Sequence, residues 1–127
     1  MNDLPDNLLS FLQAAIPTFP AAELLVFLST HPGPWQPDAL ADAAQPMSIA
    51  RDEVEEYLAL FKSAGLLAET SFAAAFVFAP ATPGLEAAVA ALTQAYNERP
   101  VTLIRTINAL ADHKLQSFAD AFKLRKD

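Results

Sequence analysis

Four carboxylates fall within five consecutive residues of the chain, at Asp52, Glu53, Glu55 and Glu56. Residues 48–64 are predicted to form a helix around them, because apolar residues recur at i, i+3, i+4 and i+7, namely at Val54, Tyr57, Leu58 and Phe61. The acids fall outside this apolar face, so they are expected to point away from the core. A surface of this kind attracts cationic partners and repels polyanions.

Two interpretations of these acids are open. In the first, Asp52 and Glu53 complement the dipole of the first helical turn, and Glu55 and Glu56 form an ordinary solvated face. In the second, the acids bind a protein partner. The candidate interaction surface then consists of Arg51, Asp52, Glu55, Glu56 and Phe72, the last at the predicted hairpin tip. For Phe72, folding back onto the core is the alternative to an exposed contact.

Residues that commonly carry catalysis or bind metals are sparse. His31 and His113 lie in different segments, and neither has further ligands at a suitable spacing. The three glycines, at positions 33, 65 and 84, are isolated, so no glycine-rich phosphate loop can be built from them. No serine, histidine and acid grouping can be assembled either. The sequence predicts a non-catalytic protein with no metal and no cofactor.

Charge is distributed unevenly along the chain. Residues 1–98 contain twelve acids and two bases, whereas residues 99–127 contain three acids and six bases, which together give the net charge of −7. The bases at the C-terminus include Lys123, Arg125 and Lys126, the candidate basic tail. These cations either complement the end of a helix dipole or contact phosphate, nucleic acid or an acidic partner.

Composition narrows the protein class further. A chain of 127 residues without cysteine is expected to form a single domain, residues 1–127, in a reducing compartment. The N-terminus lacks a signal-peptide core, and no apolar run approaches the ~18 residues that a membrane span needs. We therefore expect a cytoplasmic protein that does not bind a membrane.

Prolines divide the chain into segments, because proline cannot continue a helix. Helices are predicted at residues 6–16, 21–30, 38–44 and 48–64, and the almost wholly apolar second helix is expected at the centre of the core. Ser48 is the predicted N-cap of the fourth helix, and Gly65 is its predicted left-handed C-terminal cap. Trp35, in a proline-rich loop, is expected to pack onto the core.

A hairpin and further helices are predicted beyond Gly65. The two strands are expected at residues 66–70 and 75–79, because Phe76 and Phe78 lie on one side and Val77 on the other. Residues 79–84 are expected to be a linker. Apolar positions at helical spacing then mark three helices, with Leu85, Val89 and Leu92 in the first, Leu103 and Ile107 in the second, and Leu115, Phe118 and Phe122 in the third.

This order of elements resembles the winged helix-turn-helix superfamily, with the pattern of the MarR-like and ArsR-like bacterial regulators. The resemblance covers residues 21–96. It is carried by Pro-Asp-Ala-Leu-Ala-Asp-Ala-Ala at 37–44, by the amphipathic stretch 51–61 and by Ala-Gly-Leu-Leu at 64–67. The fold that it implies is mostly α with a small β-hairpin, namely a winged-helix core at residues 21–84 with extra N- and C-terminal helices.

The resemblance implies a transcription-associated regulator, in which helix 48–64 would present Arg51, Asp52, Glu55, Glu56 and Ala59 to a DNA groove. Only Arg51 among these can donate to guanine or phosphate, and duplex binding needs several cations. A protein partner is therefore favoured, and DNA binding is the disfavoured alternative. In MarR-like proteins the extra helices form the subunit interface, and here the first helix and residues 85–127 carry apolar stripes that are expected to be exposed. The resemblance therefore implies a homodimer that buries these stripes, and packing over the hairpin within one chain is the alternative.

Overall fold

The computed structural model describes residues 4–31, 34–47, 49–70 and 75–111. This part of the chain is mostly helical and contains one small antiparallel hairpin. In chain order the elements are α1 (Asp6–Ala15), α2 (Phe19–Thr30), α3 (Pro37–Ala43), a 3-10 turn (Gln45–Met47), α4 (Arg51–Ser63), β1 (Leu67–Glu69), β2 (Phe76–Phe78) and α5 (Pro83–Glu98). A further helical segment, α6, covers residues 100–111.

The helices predicted before residue 111 are confirmed, with small shifts at their ends. The last predicted helix, with Leu115, Phe118 and Phe122, lies outside the described residues. Helix α2 begins two residues before the predicted start at residue 21, because Thr18 caps it and its Oγ1 accepts from the Ala21 amide at 3.3 Å. The predicted linker 79–84 is shorter than expected. Thr82 caps α5 through a 3.1 Å bond from the Leu85 amide, so Pro83 and Gly84 already belong to the first turn.

The predicted end of α4 is confirmed, but its predicted start is not. The helix begins at Arg51 with Ala50 as its N-cap, so the prediction of Ser48 as the cap is wrong. Gly65 is left-handed as predicted, with a φ of 83°. The Leu66 amide donates to the Phe61 carbonyl at 2.9 Å, and the Gly65 amide donates to the Lys62 carbonyl at 3.1 Å. These two bonds satisfy carbonyls that the helix end would otherwise leave unpaired.

The hairpin extends through one further backbone pairing. Strands β1 and β2 pair antiparallel with Leu67 opposite Phe78. Trp35, which precedes α3, forms an isolated antiparallel bridge to Phe76 on the other edge of β2. Both bonds of this bridge are 2.8 Å long, from the Trp35 amide to the Phe76 carbonyl and from the Phe76 amide to the Trp35 carbonyl. The loop before α3 is thereby fixed to the hairpin.

A single apolar cluster joins the described elements. Helix α2 is central as predicted, since it packs against α5 and also contacts β2 and the 3-10 turn. Helix α1 packs against α5 as well. Every helix contributes fully buried large side chains, and Leu66 adds one between α4 and β1. Those of the helices are Leu8, Leu12, Leu24, Leu25, Leu28, Leu40, Leu58, Phe61, Leu92, Leu103 and Ile107.

The apolar stripes of α1 and α5 are covered within one chain. Their buried residues include Leu8 and Leu12 of α1 and Val89 and Leu92 of α5. The expectation that these stripes are exposed for a dimer contact is therefore wrong for α1 and α5. Among the described residues, Val101 is the one large apolar side chain that is mainly exposed, at 59%.

Within the described ranges, no single helix is long and apolar enough to cross a membrane. Helices α1 and α2 reach the necessary length and composition only as a pair, and that pair is bent by 109° at the break between them. The apolar composition of α2 corresponds to its burial in the core, where Leu24, Leu25 and Leu28 are fully enclosed.

Candidate functional site

The exposed side of α4 is acidic. Val54, Tyr57, Leu58 and Phe61 are buried as predicted, so the opposite side of the helix faces solvent. Asp52, Glu55 and Glu56 are all exposed there. Because successive residues turn by ~100° on a helix, Asp52 and Glu56 point directly away from the core and Glu55 lies towards one flank. The expectation that these carboxylates face outward is confirmed.

Two first-turn carboxylates have structural partners. The Glu53 side chain accepts from the Ala50 amide at 3.1 Å, and the Asp52 side chain accepts from the Glu53 amide at 3.1 Å. Amides in the first turn of a helix lack intrahelical partners, so these bonds stabilise the start of α4. Part of the acidic cluster is therefore explained by the helix itself.

Glu55 and Glu56 do not form hydrogen bonds of this kind to the start of α4. Within the described ranges neither carboxylate has a hydrogen-bond or ion-pair partner, and neither lies in the first turn. Asp52 and Glu56 are also spaced at i and i+4, where like charges destabilise a helix by ~0.2–0.5 kcal/mol. The outward acids of the second turn thus bring α4 no stability of their own.

Arg51 is already paired. Its guanidinium contacts the Asp38 carboxylate in the first turn of α3, and both side chains are largely exposed, at 56% for Arg51 and 82% for Asp38. Local sequence does not indicate Asp38 as the partner of Arg51, because the two residues come together only when α3 packs on α4. With its partner, the cation at the start of α4 adds no net positive charge to this surface.

A groove lies beside the acidic face, between α4 and the hairpin. It encloses about 220 Å³. Its apolar lining comes from α3, α4 and β2 and consists of Pro37, Leu58, Ala59 and Phe76. Its charged lining comes from α4 and β1 and consists of Glu55, Lys62 and Glu69. We refer to it as the α4–hairpin groove. Glu55 thus belongs both to the acidic face and to the groove.

An ion pair forms one side of this groove. Lys62 Nζ lies 3.4 Å from Glu69 Oε1, which connects the last turn of α4 to β1. Both side chains are about half exposed, so the pair is worth little to stability. It neutralises Lys62, however, and Glu55 is then the uncompensated charge among the described residues that line the groove.

The other predicted residues are separated from this site or lie outside the described ranges. The residues outside the described ranges are Ser48, Phe72, His113 and the basic tail of Lys123, Arg125 and Lys126. His31 is exposed, and its ring stacks on Phe27 with centroids 4.4 Å apart. The Trp35 indole donates to the His31 carbonyl at 2.7 Å and packs against Phe27, which confirms its predicted packing onto the core.

Two further cavities open on other surfaces. One, of about 350 Å³, lies between α2, β2 and α5, where Ser29 and Thr93 both donate to carbonyls of their own helices. Another, of about 220 Å³, lies between α5 and the residues that precede α1. In the described ranges no group of three His, Asp or Glu side chains is arranged to hold a metal ion. The polar lining of the first cavity is Ser29, Thr30, Glu86 and Thr93, and that of the second is Gln94, Glu98 and Arg99.

The site therefore combines an outward acidic face with an adjoining small apolar groove. No family model, no curated protein and no solved structure matches the chain.

Proposed function

We propose that the chain is a non-catalytic winged-helix module that acts through protein–protein contacts in a regulatory, transcription-associated setting. The order α2, α3, α4, β1, β2 supports the winged-helix assignment. The Trp35–Phe76 bridge fixes the loop before α3 to this hairpin, so these elements form one unit. Helix α4 then takes the position of the helix that meets the ligand in this superfamily.

The observation that carries the functional proposal is the charge on the exposed side of α4. Asp52, Glu55 and Glu56 project into solvent, and Arg51 is paired with Asp38. Duplex binding depends on cations placed against phosphates, and each must be free to replace a counterion. A surface with this charge is suited to a cationic protein and unsuited to DNA.

Charge reversal on α4 tests the protein-contact proposal. The double variant Glu55→Lys, Glu56→Lys should fold and should lose the partner that the wild-type chain retains in affinity capture. Its stability should be at least that of the wild type, because a lysine at 56 would lie four residues after Asp52, a favourable spacing. The matched control is Glu86→Lys, Glu98→Lys on α5, which changes the net charge equally at two other exposed positions. Equal capture by both double variants would refute an acidic docking face.

A duplex retention assay separates this proposal from the DNA-binding alternative. Phosphate attraction is strongest at low salt, so random-sequence duplex at ~50 mM salt is the most sensitive condition. We expect no retention of the wild-type chain. Retention that weakens steeply as salt is raised would instead favour a DNA-binding regulator.

The homodimer remains a proposal, inferred from the resemblance and from the apolar stripes of the flanking helices. The stripes of α1 and α5 that suggested it are buried within one chain. Sedimentation equilibrium of the full chain across a hundredfold range of concentration tests it directly. A constant mass of 13.7 kDa would rule out the homodimer.

A further inference from the structure

We propose that the α4–hairpin groove binds one large apolar side chain from a cationic segment of a partner protein. This inference rests on the proposed function, because it assigns the chemistry of the partner to the same exposed side of α4. It adds an apolar anchor position, which the acidic residues alone do not imply.

The size of the groove favours a single side chain over a free small molecule. Pockets for small ligands enclose ~300–1,000 Å³ and bury most of the ligand surface. The groove encloses about 220 Å³ and is open to solvent beside the exposed Ala59. Phe76 and Leu58 give it an apolar base, and Leu58 belongs to the rigid core. An anchor inserted there would contact side chains that are already fixed in position.

The charge around the groove specifies which residues must lie beside the anchor residue in the sequence of the partner. Glu55 lines the groove, and Asp52 and Glu56 lie on the adjoining outward side of the same helix. Lys62 is paired with Glu69 and offers no free cation. A segment that places lysine or arginine on either side of its apolar residue would therefore meet Glu55 and Glu56, which have no hydrogen-bond or ion-pair partner within the described ranges. Such complementarity gives specificity and a salt-dependent association rate.

A second copy of the chain is a poor occupant of this surface. A two-fold interface brings the same patch of both subunits together, which would oppose Glu55 and Glu56 with their own copies. The C-terminal segment of this chain, which carries Phe118 and Phe122 before its basic residues, has the chemistry that the groove requires. That segment is therefore the competitor to a partner protein, and the experiment includes it.

Selection from a random dodecamer phage library on the immobilised full chain tests the inference. Enriched sequences should contain a large apolar residue flanked by at least two lysines or arginines. A synthetic peptide of the strongest sequence should bind the variant Ala59→Arg at least tenfold more weakly in fluorescence anisotropy, because arginine obstructs the groove. The control Ala87→Arg places the same side chain at an exposed position of α5 and should bind as the wild type does.

Three results would overturn the inference. Enriched sequences without cations would contradict the charge argument, and equal binding by Ala59→Arg and Ala87→Arg would exclude the groove. Displacement by a synthetic peptide of residues 112–127 with equal or higher affinity would assign the groove to the chain's own C-terminal segment. The proposed function is judged separately, since partner capture that is sensitive to Glu55→Lys, Glu56→Lys would stand even if the groove proved empty.

Discussion

Arg51 and Asp38 form an ion pair between the first turns of α4 and α3. The pair fixes the start of α3 to the start of α4. Among the described residues it also leaves the exposed acids of α4 without a neighbouring free cation. The charge of this surface is therefore a property of both helices together.

Removing the Asp38 charge separates the structural and functional roles of this pair. The variant Asp38→Asn should change the free energy of unfolding by less than ~1 kcal/mol, because exposed ion pairs contribute little. Urea denaturation followed by circular dichroism measures this change. The same variant should show no retention on duplex at ~50 mM salt. Retention by Asp38→Asn alone would mean that Asp38 masks a DNA-binding arginine.

Gly65→Ala should destabilise the protein by ~1–2 kcal/mol, because Gly65 has a φ of 83°, a region that is costly for residues with a Cβ. A Cβ there would also lie 3.4 Å from both the Ala81 Cβ and the Leu85 Cδ1. The control is Gly84→Ala in the first turn of α5, where the nearest atom would be the Thr82 Oγ1 at 3.8 Å. That control should be neutral or stabilising by up to ~1 kcal/mol in urea denaturation.

Tyr96 should make stability depend on pH in the alkaline range. Burial raises the pKa of Tyr96 above its ordinary value of 10.0. The Glu23 carboxylate, which accepts a hydrogen bond from the Tyr96 hydroxyl, raises this pKa further. The folded protein thus holds this proton more tightly than the unfolded chain does. The resulting stabilisation is complete below pH 10 and is lost as the pH rises through the raised pKa.

The variant Tyr96→Phe should therefore lose less stability than the wild type between pH 9 and pH 11. Urea denaturation at several pH values in this range measures the difference. Glu23→Gln should give an intermediate result, because it removes the negative charge and leaves the desolvation of Tyr96 in place. Identical pH profiles for Tyr96→Phe and the wild type would contradict the assigned cause.

Thr18 and Tyr57 should couple energetically across the core. Their hydroxyl groups lie 2.8 Å apart and connect the start of α2 to α4. Tyr57→Phe should cost ~0.5–1.5 kcal/mol by removing this bond, and Thr18→Ala should cost more because Thr18 also caps α2. The double variant should be less destabilised than the sum of the two. Strict additivity in a double-mutant cycle would show that the bond contributes nothing.

Periodicity and glycine placement made much of the fold predictable from the sequence. The spacing of Val54, Tyr57, Leu58 and Phe61 gave the buried face of α4 and hence the outward direction of Glu55 and Glu56. The start of α4 was not predictable in the same way. Ser48 has a strong preference for the N-cap position, but the helix begins at Arg51, with the Glu53 carboxylate bonded to the Ala50 amide.

Contacts between distant segments were decided only by the tertiary structure. No local pattern indicates that Asp38 meets Arg51, that Trp35 pairs with Phe76 or that Glu55 and Glu69 line one groove. The stripes of α1 and α5 could equally have faced a second subunit, and they pack within the chain instead. Local sequence specifies which face of a helix is apolar, whereas the packing of all helices together determines what that face covers. For this reason the sequence determined the acidic side of α4, and the three-dimensional structure determined the groove beside it.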